Sequence, residues 1–99
     1  MSLIRLLPDR WFIPNSVYSW LGYRHVDFVA RMTVSDKTLD TVYAVFDLVA
    51  PGAWSGRWDS YGRATFGCVG WCRDPWRFER RVRDALETAT GGVVVTTIG

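Results

Sequence analysis

VDFVARMTV, at residues 26–34, sets the architecture that this sequence predicts. Every even position from Val26 to Val34 is apolar, whereas three of the four odd positions between them carry polar side chains. A period of two is typical of a β-strand that buries one of its faces. The residues that follow, Ser35–Thr38, are typical of a turn.

Residues 38–50 are compatible with either a strand or a helix. A three-residue turn at Asp36–Thr38 would place Phe28 opposite Phe46, with both apolar faces on the same side, as in a β-hairpin. The helical alternative gives one apolar stripe, made of Leu39, Val42, Tyr43, Phe46 and Val49. Because Thr, Val, Tyr and Phe form strands more readily than helices, we expect the hairpin.

The clearest helix signal lies near residues 75–89. Asp74 is suited to cap the first turn, Pro75 is favoured at the first helical position, and Gly91 is suited to end the helix. The apolar residues that would face the core are Phe78, Val82, Ala85, Leu86 and Ala89. These signals together predict an amphipathic helix.

The rest of the chain predicts short strands and turns. We expect strands at residues 63–71 and 93–98, joined either by a right-handed βαβ crossover or with the last strand antiparallel. Residues 51–62 predict a loop, and residues 1–24 predict short extended pieces, with Leu3–Leu7 as a candidate edge strand. The expected fold is therefore a small α+β domain spanning residues 1–99. It would have an antiparallel sheet of four or five strands and one main helix near residues 75–89.

The composition combines six tryptophans with eleven arginines and one lysine in 99 residues. Both residue types are enriched where proteins recognise partners. A hydrophobic fraction of 48% and a charged fraction of 22% exclude a disordered chain, and a net charge of +2 gives no strong overall field. With no targeting or membrane-spanning segment and only two cysteines, we expect a reduced, cytoplasmic protein.

The helix near residues 75–89 carries the main candidate binding surface. Opposite its apolar stripe the sequence places Trp76, Arg80, Arg83 and Glu87. Arg73 and Arg77 add positive charge, and Arg80 is within reach of a cation–π contact with Trp76. An aromatic side chain with a charged rim is typical of a protein-binding hot spot. The structural alternative is that Trp76 folds back over the helix start and packs on the N-terminal segment.

A second candidate surface lies in the predicted loop. Trp54 and Trp58, with Tyr61, are separated by small residues, as in many binding loops. The alternative is that these rings cap the open end of the core. We expect the other three tryptophans to be structural cover, namely Trp11, Trp20 and Trp71.

Catalytic and metal-binding signatures are absent from the sequence. Cys68, Cys72 and His25 offer too few ligands for a zinc site, so free thiols are expected. His25 and Asp27 share a strand face, but no nucleophile stands in a recognisable catalytic context. We therefore expect no enzyme activity, no metal and no cofactor.

The expected function is non-enzymatic protein–protein interaction. The residues that would contact the partner are Trp76, Arg80, Arg83, Arg77, Arg73, Trp54 and Trp58. Small chains of this kind are often inhibitors or adaptors, and a phage or mobile-element inhibitor of a host complex is one version. Two alternatives stay open. One is nucleic-acid binding by the Arg/Trp patch at residues 73–83, and the other is a structural subunit of a larger assembly.

Overall fold

The computed structural model describes residues 5–8 and 13–99. Its elements are α1 (Asn15–Trp20), β1 (Arg24–Thr33), α2 (Asp36–Val49), β2 (Trp54–Trp58), β3 (Arg63–Cys72), α3 (Pro75–Thr90) and β4 (Val95–Ile98). Four strands of this described part form one antiparallel sheet in the order β2-β3-β1-β4. The predicted α+β class, with a mainly antiparallel sheet, is confirmed.

The connections between strands cross over the sheet twice. β1 and β2 both run antiparallel to β3, so they are parallel to each other, and α2 connects them. In the same way β3 and β4 are parallel, lie on either side of β1 and are connected by α3. Each crossover spans one intervening strand, and the pair makes a ferredoxin-like βαββαβ topology. The last strand is thus both part of a crossover and antiparallel to its neighbour β1.

An aromatic core lies between the sheet and the two long helices. Phe28 of β1 meets Phe46 of α2 and Phe78 of α3, with ring centroids 6.4 and 5.5 Å apart. Phe66 of β3 stacks on Phe46 at 5.2 Å, and all four rings are fully buried. Burial of each such side chain stabilises the fold by about 1.5–3 kcal/mol. The even-numbered residues of β1 and β3 therefore face the helices, and the odd-numbered residues form the outer face of the sheet.

The predicted hairpin is wrong, because residues 36–49 form α2. Ser35 is the N-cap, and its backbone N–H donates to the Thr38 hydroxyl at 3.2 Å, so the predicted turn is the first turn of the helix. The side chains that α2 buries are Val42, Val45, Phe46 and Val49. Packing of this stripe against the sheet outweighs the strand propensity of the individual residues.

Two other segments also differ from the expectation. The predicted loop contains β2, which ends in a turn where the Asp59 carboxylate accepts the backbone N–H groups of Tyr61 and Arg63 at 2.9 and 3.0 Å. Residues 1–24 contain the short helix α1. Residues 3 and 4 of the candidate edge strand lie outside the described residues, and Leu7 forms an antiparallel bridge with Trp71.

Candidate partner-binding surface

α3 begins and ends where the sequence predicts. The Asp74 carboxylate accepts a hydrogen bond from the backbone N–H of Arg77 at 3.1 Å, and Gly91 adopts the left-handed conformation with φ of 70°. The side chains that the helix buries are Phe78, Val82 and Leu86. Because the core takes this face, the opposite face of α3 is turned to solvent.

Trp76 lies on the solvent face of α3 with 71% of its surface exposed. The alternative in which Trp76 packs over the N-terminal segment is therefore wrong. Arg80 is exposed on the same face, but the described residues show no cation–π contact between its guanidinium and Trp76. Both side chains are accessible to a partner.

The C-terminal half of the predicted patch is held against β4. The Glu87 carboxylate accepts a hydrogen bond from the backbone N–H of Val94, and the Glu79 carboxylate accepts one from the Thr96 hydroxyl, both at 3.1 Å. Arg83 is half-buried one helical turn from each glutamate. The accessible part of the patch is therefore its N-terminal half.

Trp54 belongs to the packing of β2 against α2. Its ring stacks on Tyr43 with centroids 5.5 Å apart, and its indole N–H donates to the Asp47 carboxylate at 2.8 Å. The ring also lies 5.8 Å from Phe66. These contacts give Trp54 a clear structural role, as in the core-capping alternative.

Trp58 is partly free but lies far along the sheet from Trp76. Its indole N–H donates to the Val34 carbonyl at 3.3 Å, and 39% of its surface is exposed. Trp58 pairs with Ala64 near the start of β3, whereas Trp76 follows the end of that ten-residue strand. The structure therefore does not bring the two predicted surfaces together.

The three tryptophans expected to be structural cover have different environments. Trp71 is 7% exposed and stacks on Tyr18 of α1 at 5.1 Å, which confirms its structural role. Trp20 is 84% exposed, so the expectation for this residue is wrong. Tyr18 and Trp20 are two positions apart on a helix and point in different directions, so burial of the first turns the second outward. Trp11 lies outside the described residues.

The two most exposed tryptophans of the described residues lie at the same end of the sheet. The strand register pairs Arg24 of β1 with Cys72 of β3. Trp20 precedes Arg24 by four residues, and Trp76 follows Cys72 by four residues. Four residues of chain reach at most about 14 Å, which limits how far the backbone of each tryptophan can lie from this strand pair.

Arginines surround a pocket of about 270 Å³ at this end of the sheet. Arg5, Arg73 and Arg77 line it, and the Arg73 guanidinium lies over the Tyr23 ring, 5.0 Å from its centroid. Asp74 also lines the pocket, but its carboxylate already caps α3. The excess of guanidinium groups suits an acidic ligand group. Neither Trp20 nor Trp76 lines this pocket; Trp20 lies on α1 over the outer face of the sheet and Trp76 on α3 over the inner face. We call this end of the sheet, with both tryptophans, the tryptophan–arginine surface; it consists of Arg5, Trp20, Tyr23, Arg73, Trp76 and Arg77.

Arg5, Trp20 and Tyr23 are the members of this surface that sequence reasoning missed. Val17, Trp20 and Leu21 are all exposed and are spaced three and four residues apart, as on one side of a helix. This spacing was a usable signal, but α1 is only six residues long and Pro14 and Gly22 surround it. A segment so short gives too little periodicity to identify an amphipathic helix.

Cys68 and Cys72 are free, buried thiols, as predicted. Burial, followed by the negative charge of Asp27, raises the pKa of Cys68 to about 12. Burial raises the pKa of Cys72 to about 11, so both thiols are neutral near pH 7. Within residues 5–8 and 13–99, no group of three or more His, Cys, Asp or Glu side chains could hold a metal ion.

A second concavity, of about 890 Å³, follows the outer face of the sheet. Gly67 lines it, and a Cβ at this position would lie 3.3 Å from the Phe28 carbonyl oxygen. Its charged side chains are Asp27 and Arg57. Unlike the tryptophan–arginine surface, this groove presents no exposed tryptophan.

Comparisons of the sequence and the structure with protein-family models, curated proteins and solved structures found no match. None of the helices in the described part of the chain is long and apolar enough to cross a membrane. The chemistry of the tryptophan–arginine surface is therefore the basis on which a function can be proposed.

Proposed function

We propose that this protein is a non-enzymatic binding domain that docks its tryptophan–arginine surface onto an acidic region of another protein. The observation that carries the proposal is the exposure of Trp20 and Trp76, at 84% and 71%, on either side of one strand pair. A tryptophan can bury about 150–250 Å². At about 25 cal/mol per Å², covering two such rings is a substantial driving force for association.

The arginines define the chemistry of the expected partner. Arg5, Arg73 and Arg77 converge on one pocket, and a carboxylate is the protein side chain that guanidinium groups bind best in paired hydrogen bonds. Stacking on Tyr23 already restrains Arg73, so binding immobilises less of its freedom. An Asp or Glu of the partner would enter the pocket while apolar groups cover the two tryptophans.

Nucleic-acid binding is the second candidate, because the same three arginines could contact phosphates. Two features favour a protein partner instead. Four-stranded sheets that read RNA stack bases on exposed aromatic rings, whereas Trp71 on the outer face is buried beneath Tyr18. In addition, the Asp74 carboxylate occupies the start of α3, where a phosphate would otherwise bind.

The proposal is tested by affinity capture from the native host, followed by calorimetry with the captured protein. Trp20→Ala and Trp76→Ala should each weaken binding about 30-fold or more, as expected for a hot spot of about 2 kcal/mol. Tyr61→Ala is the matched control, because Tyr61 is 80% exposed in the turn before β3, at the far end of the sheet. If all three variants fold and bind the captured protein with the same affinity as the wild type, the tryptophan–arginine surface is not the binding site.

A salt series separates the two candidate functions. Binding to phosphates would make affinity for DNA or RNA fall steeply as ionic strength rises. We expect no binding to single- or double-stranded nucleic acid in low salt. Tight, salt-sensitive binding that is lost in Arg73→Gln would favour the nucleic-acid candidate over the protein partner.

Inhibition of a host complex is one specific form of the proposed function. In this form, a stoichiometric amount of the protein should abolish the activity of the complex it captures. Trp76→Ala should lose inhibition in proportion to its loss of affinity. A captured complex that keeps full activity at saturation would leave the binding proposal in place and exclude this form of it.

A further inference from the structure

In the sheet formed by the described residues, β4 is an edge strand, and its open side can be assigned residue by residue. The backbone N–H of Gly99 donates to the Asp27 carbonyl at 3.0 Å, and the Asp27 N–H donates to the Gly99 carbonyl at 3.2 Å. In an antiparallel ladder, such pairs alternate with residues whose backbone groups point the other way. Val95 and Thr97 therefore also bond to β1, while Thr96 and Ile98 direct their backbone groups away from the sheet.

Glu87 limits where this open side begins. Its carboxylate accepts the backbone N–H of Val94 at 3.1 Å, so the residue two positions before Thr96 is already bonded. A new strand can therefore bond to Thr96 and Ile98 without breaking a hydrogen bond of the folded protein.

β4 also lacks the side chains that commonly protect an edge strand. Residues 91–99, GGVVVTTIG, contain no charged residue and no proline. In contrast, the opposite edge strand β2 carries Arg57 and follows Pro51. Val95 is 57% exposed beside this unprotected edge. A neutral, β-branched edge can face a copy of itself without opposing like charges.

We propose that two copies of this chain pair through β4 in antiparallel orientation, about a two-fold axis at Thr97. In this register Thr96 of one copy faces Ile98 of the second, and the reverse pair forms on the other side of the axis. Each pair exchanges two backbone hydrogen bonds, which joins the two sheets into one. Registers centred one residue earlier would require the Val94 N–H that Glu87 already binds.

Two copies can pair in this way without opposing like charges; the charged residues in line with the pairing are three strand spacings, about 14 Å, apart. In the β1–β4 register Arg31 lies beside Val95, and Asp27 lies beside Gly99. The proposed pairing places Val95 of one copy opposite Gly99 of the second. A row of neighbouring residues across the joined sheet therefore contains Arg31 and Val95 of one copy, then Gly99 and Asp27 of the second. The two-fold axis generates an equivalent row with the two copies exchanged. Opposite charges align on both sides of the axis.

Cysteine cross-linking tests the register directly. The Cα atoms of the two Thr97 residues would be about 4.5 Å apart, within the range that a disulfide can bridge. Under mild oxidation, Thr97→Cys should form a covalent dimer on a non-reducing gel. Thr65→Cys is the matched control, because Thr65 is equally an exposed threonine on the outer face but belongs to the interior strand β3. Equal cross-linking of both variants would overturn the proposed pairing.

Sedimentation measurements test the association without a cross-link. The unmodified 99-residue chain should change from monomer to dimer within roughly 10 μM to 1 mM, as for small interfaces. Thr97→Lys should stay monomeric, because it sets two ammonium groups across the axis, whereas Thr65→Lys should dimerise normally. Circular dichroism checks that both variants fold. A monomeric wild type at 1 mM, or an unaffected Thr97→Lys, would refute the proposal. Trp76→Ala should dimerise normally, so this result is independent of the proposed function.

Discussion

Three tryptophan substitutions should separate the rings that hold the fold together from those that are free. Trp71→Ala should lower the free energy of unfolding by about 3–5 kcal/mol, because this 7%-exposed ring fills the space beneath Tyr18. For Trp76 and Trp20, less than a third of each ring is covered. That cover corresponds to at most about 1–2 kcal/mol. The higher helix propensity of alanine recovers about 0.5 kcal/mol, so each of these two substitutions should cost below about 1.5 kcal/mol.

Urea titration followed by far-UV circular dichroism is the appropriate assay, since tryptophan fluorescence itself changes with these substitutions. Equal dependence of the unfolding free energy on urea would show that all three variants unfold from equally compact states. A loss for Trp76→Ala or Trp20→Ala as large as that for Trp71→Ala would refute the reasoning. It would mean that the ring is packed in the folded protein and unavailable to a partner.

Three other substitutions, at Gly56, Tyr18 and Cys68, test features of the interior, and a fourth at the exposed Gly92 is a control. Gly56→Ala should destabilise the fold by about 1–3 kcal/mol in urea unfolding, because the new Cβ would overlap the buried Phe66 ring. Gly92→Ala, which meets nothing within 4 Å, should stay within about 0.5 kcal/mol. Tyr18→Phe should leave the melting temperature equal or higher, since the buried Tyr18 hydroxyl has no hydrogen-bond partner in the described structure; a lower value would contradict this. The free energy of unfolding should fall as pH rises from about 9 towards 12. The Cys68 thiol loses its proton at a lower pH in the unfolded chain than in the folded chain, where the pKa of Cys68 is about 12. The fall measured by urea unfolding should be smaller in Cys68→Ala, and an identical fall would exclude this cause.

The strand β1 and the helix α3 could be predicted from sequence because local signals and burial agree there. β1 alternates strictly along its even positions, and α3 has an acidic cap, a proline and a terminal glycine. α2 could not be predicted by propensity, because Thr41, Val42 and Tyr43 individually favour strands. The sequence shows the apolar stripe of a helix there. The choice between helix and strand, however, is decided by the packing of that stripe against the sheet, which is a tertiary contact.

The candidate site was predictable only in part for a related reason. Trp76 is exposed because its position on a long amphipathic helix is fixed by the buried face. Trp54 and Trp58 were assigned to a loop, and the β2–β3 register that turns them towards the helices is a long-range property. The exposure of Trp20 depends on the stacking of Tyr18 on Trp71, which lies more than fifty residues later in the chain. Contacts of this kind leave no periodic pattern in the sequence.

The central position of β1 has a consequence for how the chain folds during synthesis. β1 is made early, but its neighbours β3 and β4 follow α2, as in Arg24 with Cys72 and Phe28 with Ile98. At about 5–20 residues per second, the 39 residues from Thr33 to Cys72 take about 2–8 s to add. During that interval α2 is the long helix available to cover the apolar side of β1. The folding rate should then be limited by non-local pairing, between the microsecond-to-millisecond scale of helical bundles and the millisecond-to-second scale of all-β domains.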